Sequence, residues 1–262
     1  MSNLSNIGFP ISSQEELYRL IDQVYSLGQS ISVRDGRYVR YLDSCGAELW
    51  LQLKGKKEFL GFNPHFEGKS RRTVCLMKEI PRPESTLDGA FYAWANPQDP
   101  QNPESGDYPF VFDTPNARTF EGISLPQSVT IQLAAFAHEL HLYDSEEKFY
   151  QQQGAIKYSA QHFIPAGLFE KDSKAQASFA GTVKEWKKED NLFSDGEFYW
   201  LLVDTLGGEV DVVADLMLIE QEPKVGSILH GYFWLSGKIV TSPLVKSSKI
   251  KKRFWSQWFS KK

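Results

Sequence analysis

The 262-residue chain has only two cysteines, Cys45 and Cys75. That excludes the disulfide framework of small secreted domains and a paired CxxC zinc site. Two reduced, buried thiols are the expectation. No apolar run approaches the ~20 residues that a membrane-spanning helix needs. Residues 1–6 lack the basic and apolar regions of a signal peptide, so a cytoplasmic location is expected. Motifs that cradle nucleotides or expose a nucleophile are missing too: there is no GxxxxGK[ST], GxGxxG or GxSxG. No cofactor is expected. Carboxylates are abundant, yet no spacing sets a pair of them for general acid–base work.

What the chain does have is aromatic side chains, 14% of residues, which favour pleated, half-buried surfaces. Its charge is divided. Residues 175–240 carry 5 Lys against 11 Asp/Glu, a net of −6, and residues 1–174 carry 17 basic against 22 acidic side chains, a net of −5. Residues 241–262 carry 7 Lys/Arg and no acid. An acidic body disfavours nucleic acid as a partner, because phosphate neutralisation supplies most non-specific affinity.

Near the start, Ser12 and Glu15 have the spacing of a capping box. Leu17, Leu20, Ile21, Val24 and Leu27 follow at helical spacing, and Gly28 is placed to end the helix. Ile7-Gly8-Phe9 suggests an earlier strand. Strands are expected over 30–34, 38–42 and 48–53, the first two joined by a tight turn at Asp35-Gly36. This order resembles one half of the vicinal-oxygen-chelate (glyoxalase-like) superfamily. The resemblance implies a metal held by a His of the first strand and a Glu or His of a later one. Here the first strand has no His, while Glu48 lies in a later one.

The segment 61–116 is less regular, with strands expected over 73–80, 91–95 and 110–112 and an exposed loop over 97–109. Residues 128–143 form the longest apolar run. A short helix capped by Asp144 and an extended piece over 162–165 follow. The polar stretch 170–174 places a domain boundary near residue 172.

Residues 180–240 contain four aromatic-rich, strand-like runs with glycine punctuation. They resemble an OB-fold, with 216–222 as the connection between its third and fourth strands. The run 204–215 is similar to a family of bacterial proteins that carries no known activity. The expected architecture is an α+β domain over 1–172 with a mixed or antiparallel sheet and few helices. An all-β OB-like barrel over 173–240 and a basic amphipathic C-terminal helix over 241–262 complete it.

Three constellations are candidates for function. His138-Glu139-Leu140-His141 is one residue short of the HExxH zinc motif. On a strand, alternation puts Glu139 and His141 on one side and His138 on the other. With Glu48, and with His65, Glu67 or His162 if the fold brings them near, these residues are the candidate metal ligands. Polar residues at a strand end are the plainer alternative. The second candidate is a stacking face. His230, Tyr232 and Trp234 point the same way, Trp186 shares a face with Lys184 and Lys188, and Trp200 shares one with Phe198 and Leu202. Such a set either fills a core or offers a platform to a protein or small ligand. The third is the tail, where Lys251, Lys252 and Arg253 flank a stripe of Phe254, Trp255, Trp258 and Phe259. That pattern fits a helix docked on the acidic body, peripheral association with an anionic membrane surface, or a partner. Asp211 and Asp215 share a strand face with Val213 and are expected to face water.

The leading expectation is a non-enzymatic binding or scaffolding protein that uses the barrel surface or the tail for a protein or small ligand. The alternative is a metal-dependent enzyme of glyoxalase-like type, built on Glu48, His138, Glu139 and His141.

Overall fold

The computed structural model describes residues 2–55, 58–82, 86–168 and 173–241. Strand dominates, in line with what the aromatic content favours. Helix α1 (Gln14–Leu27) and helix α2 (Glu146–Gln152) are the two α-helices of the described residues. Both begin one residue later than the sequence expectation. Ser13 caps α1 by accepting from Glu16 N, and Ser145 caps α2 by accepting from Lys148 N. Ser12 instead donates its N–H to the Glu16 carboxylate. In both places two adjacent side chains could cap, and the choice falls on the second. Leu20 and Val24 are the buried stripe of α1.

Four strands, β1 (Gln29–Val33), β2 (Gly36–Leu42), β3 (Ala47–Lys54) and β4 (Glu58–Phe66), form an antiparallel sheet in sequence order. Val33 pairs with Gly36, so the tight turn is Arg34-Asp35, one residue earlier than expected. Strand β4 was not foreseen, since Pro64 and Asn63 break its apolar pattern. Ile7-Gly8-Phe9 is not a strand. A 3-10 turn covers Ser5–Ile7 and ends at Gly8, whose φ of 80° stops any extension.

The second sheet is large and mixed. Its strands are β5 (Arg72–Ile80), β6 (Ala90–Ala95), β7 (Pro109–Asp113), β8 (Gln127–Tyr143), β9 (His162–Ala166), β10 (Gln176–Asn191), β11 (Gly196–Thr205), β12 (Gly208–Asp215) and β13 (Ile228–Ile239). Two pairings are parallel, β12 with β8 and β13 with β7; the rest are antiparallel. Pairings run from β8 to β13, β10, β11 and β12, and from β12 back to β8. Strand β8 precedes residue 172 and its partners β12 and β13 follow it, so the two sides of that position share one sheet.

Two core clusters follow from this arrangement. One side of the large sheet buries Leu133, Ala135, Val203, Val212, Leu229, Phe233 and Leu235 among themselves. On its other side Phe136, Trp200 and Val213 pack against Leu49 and Phe66 of the small sheet and Val24 of α1. Each fully buried Val, Leu or Phe among them contributes about 1.5–3 kcal/mol. The functional candidates sit in and beside this second layer.

Two β-bulges change which residues share a face. On β8 the register moves between Tyr232↔Glu139 and Phe233↔Ala137, leaving His138 as the extra residue. On β10 the extra residue is Lys184, so Trp186 lies on the side of Val183 and not on that of Lys184. One inserted residue resets the alternation beyond it. The candidate tail residues Lys251, Lys252, Arg253, Phe254, Trp255, Trp258 and Phe259 lie outside the described residues. Among the described residues, no helix is long and apolar enough to cross a membrane.

Candidate functional site

Strand β13 turns its even-numbered residues toward the small sheet and α2, while Leu229, Phe233 and Leu235 go into the larger core. His230, Tyr232, Trp234, Ser236 and Lys238 therefore form one row. The sequence expectation included the first three; Ser236 and Lys238 continue the same alternation.

At the Lys238 end the row meets a buried charge cluster. Glu48, wholly buried in β3, accepts from Lys238 Nζ at 2.8 Å, from Arg40 Nε at 2.8 Å and from Trp50 Nε1 at 2.9 Å. Glu67 also pairs with Arg40 and, at 3.2 Å, with Lys238. Burial pushes the Glu48 carboxyl up, but the Lys238 and Arg40 charges and its hydrogen bonds outweigh this and hold it below the usual carboxylate range. Two carboxylates face two cations, so the cluster is neutral and its groups are already engaged.

Next along the row a hydrogen-bonded chain crosses the layer. Ser236 Oγ lies 2.7 Å from His65 Nδ1, and His65 Nε2 lies 2.9 Å from Gln132 Oε1. Gln132 Nε2 donates to Asp211 Oδ2 at 2.8 Å. Asp211 also accepts from the backbone N–H groups of Lys69 and Ser70 and from Trp200 Nε1. Asp211 is thus wholly buried, contrary to the expectation that it faces water, because the turn after β4 folds its amides onto the carboxylate. Gly68 opens that turn; a Cβ there would overlap the Asp211 carboxylate. Burial and the nearby Lys238 push the His65 pKa well below its ordinary value.

Ser236 and Trp234 also line a cleft of about 110 Å³ between β4, the end of β7 and β13. Asn63, Arg82, Asp88, Asp113 and Thr114 complete its polar lining. Asp113 accepts from Arg82 Nε at 2.9 Å and from Trp234 Nε1 at 2.7 Å. Burial, set against attraction from Arg82, leaves its carboxyl above the usual range, and the neighbouring Asp88 charge adds to the rise. Asp88 Oδ1 accepts from Gln52 Nε2 at 2.6 Å and Asn63 Nδ2 at 2.5 Å. Thr114, 2% exposed, has a hydroxyl with no hydrogen-bond partner.

The other candidates are spread apart. His138 is exposed beside Tyr232 and hydrogen-bonds Asn3 Oδ1 at 3.0 Å. Glu139 and His141 pair with each other at 3.1 Å on the exposed end of β8. Glu48 is committed to Arg40 and Lys238, so the structure does not bring the four suggested ligands together. Among the described residues, no group of three or more His, Cys, Asp or Glu side chains is placed to hold a metal ion. His230 packs with Tyr158, His162 and Phe149. Trp200 is buried in the layer, and Trp186 is half-buried against Tyr199. Of the aromatic face, Trp234 is the member that lines the cleft.

Sequence reasoning missed Arg82, Asp88, Asp113, Thr114, Gln132 and Ser236. Gln132 carried a signal, a lone amide inside the apolar run 128–143. Ser236 and Lys238 carried another, as polar residues at alternate positions of an apolar strand. Comparison with known protein families, curated proteins and solved structures finds no match to this chain.

Proposed function

We propose that the protein is a binding protein for a small cation rich in N–H donors, an alkylammonium or guanidinium compound, held in the cleft at Asp113. Thr114 carries the reading. A buried hydroxyl without a partner costs about 1–3 kcal/mol, and rotation of the Thr114 side chain toward a ligand in the cleft would relieve that cost. Charge supports it. Two carboxylates against one guanidinium give the lining a net charge of −1, counting both carboxylates as ionised. Asp88 Oδ1 accepts from Gln52 and Asn63, and in this reading Oδ2 takes a donor of the ligand. The Trp234 indole supplies an aromatic face, on which a desolvated cation gains about 2 kcal/mol. In this reading the circuit of pairings through β8, β13, β10, β11 and β12 is a closed, OB-like barrel that holds β13 rigid beneath the ligand.

The test is a titration with methylguanidinium followed by the tryptophan indole N–H resonances. Because Trp234 Nε1 donates to Asp113, a ligand at that carboxylate should move one indole signal saturably, and that signal should vanish in Trp234→Phe. Asp88→Asn should weaken binding about tenfold, or ~1.4 kcal/mol. If no indole signal moves saturably, the reading is wrong.

A further inference from the structure

We infer that Ser236 is an acyl-accepting nucleophile, with His65 as its general base, acting on a short-chain ester held in the cleft. This rests on the cleft being the ligand site and adds a reaction to binding. Ser236 is the point where the buried hydrogen-bonded chain meets the cleft.

The chain fixes the direction of every proton in it. Asp211 meets four N–H donors and so acts only as an acceptor. The Gln132 group facing it must therefore be the amide nitrogen, which turns Oε1 toward His65. An amide oxygen only accepts, so His65 Nε2 carries the proton and Nδ1 is left with a free lone pair. The one donor at 2.7 Å from that lone pair is the Ser236 hydroxyl. Nucleophile, base and orienting group thus stand in the relation that activates serine in acyl transfer. Gln132 and Asp211 are positioning residues. Burial keeps the His65 imidazole neutral, the form that accepts a proton; it also makes the imidazolium costly, so turnover is expected to be slow.

In the step, Ser236 Oγ bonds to the ester carbonyl carbon while its proton passes to His65 Nδ1. Collapse of the tetrahedral intermediate breaks the ester C–O bond, and His65 returns the proton to the departing alkoxide. Water, deprotonated by the same nitrogen, then attacks the acyl-serine, releasing a carboxylic acid and restoring Ser236. The cleft's size limits the acyl group to a few carbons, and its negative lining favours esters that carry an ammonium group.

Diisopropyl fluorophosphate tests this directly, because its P–F bond is replaced by a bond to an activated serine with loss of fluoride and a proton. Mass spectrometry of the full chain is expected to show one adduct, mapped to Ser236 and absent in Ser236→Ala. His65→Gln should slow labelling by at least about a hundredfold, the usual contribution of a general base. Gln132→Met should slow it and shift its pH profile, which a purely structural loss would not do. Should Ser236→Ala or His65→Gln fail to fold, Ser236→Cys keeps the test: its new thiol should react with iodoacetamide faster than Cys45 and Cys75, whose thiol pKa values burial pushes up. No adduct in the wild type, or one that persists in Ser236→Ala, overturns the inference. If methylguanidinium still moves the Trp234 signal, the cleft remains a ligand site and only the nucleophile is wrong. If neither occurs, both are wrong.

Discussion

The layer around Glu48 and Asp211 and the cleft around Asp113 adjoin on one face of β13 and are built from the same residue types. They differ in how completely their groups are paired. In the layer, Glu48 meets Arg40, Lys238 and Trp50, Asp211 meets four N–H donors, and no buried polar side-chain atom of these residues is orphaned. In the cleft, Thr114 is orphaned, and a carboxylate pair faces a single guanidinium. A fully paired buried network holds two sheets in register. One that leaves an unpaired hydroxyl and an excess of negative charge in the wall of a cavity is suited to a cationic ligand.

The sharpest way to break this contrast is to empty the paired side. Asp211→Leu leaves the Lys69 and Ser70 amides, the Trp200 indole and the Gln132 amide without an acceptor. Loss of one buried partner costs about 3–5 kcal/mol, and this substitution should reach at least that range in urea unfolding. A loss below ~1 kcal/mol would show that the layer does not hold the sheets. Lys238→Met should cost less, about 1.5–3 kcal/mol for a lost hydrogen bond to a charged group, because Arg40 still pairs with Glu48.

Acidification distinguishes the two regions by sign. Glu48 has a depressed folded pKa, so its contribution is fully present above the unfolded value of ~4.3 and is lost as pH falls through the lower folded value. Asp113 has a raised folded pKa, so its ionised form is penalised in the fold and that penalty is relieved as pH falls through the raised value. Stability measured from neutral pH downward should therefore receive a gain from Asp113 before the loss from Glu48. Asp113→Asn should remove the gain and leave the loss. An unchanged profile in that variant would contradict the assignment.

Much of the fold was legible because its signals are local. Periodicity located α1, the apolar run 128–143 became β8, and alternation put His230, Tyr232 and Trp234 on one face. The errors have local causes as well: competing caps at Ser12/Ser13 and Asp144/Ser145, and bulges at His138 and Lys184 that alternation cannot anticipate. The candidate site was hardly legible, since its members come from β4, β7, β13 and the segment holding Arg82 and Asp88, which meet only through non-local pairing. Asp211 shows the limit most clearly. Nothing within its own strand announces the Lys69 and Ser70 amides, 142 and 141 residues away, that bury it.

The smallest effect is the most specific to the cleft. Thr114→Val replaces the orphaned hydroxyl by a methyl group of nearly the same volume. At a site whose hydroxyl is hydrogen-bonded, this change loses the bond and destabilises. Here there is no bond to lose, and the buried, unpaired hydroxyl already carries a desolvation cost of about 1–3 kcal/mol. The variant should therefore be as stable as the wild type or more so, by up to ~1 kcal/mol in urea unfolding. It should also weaken methylguanidinium binding, since the partner that the ligand would satisfy is gone. Gained stability together with lost binding is the signature of a group kept for a ligand. A clear destabilisation would instead place Thr114 with the fully paired layer and remove the observation on which the binding reading stands.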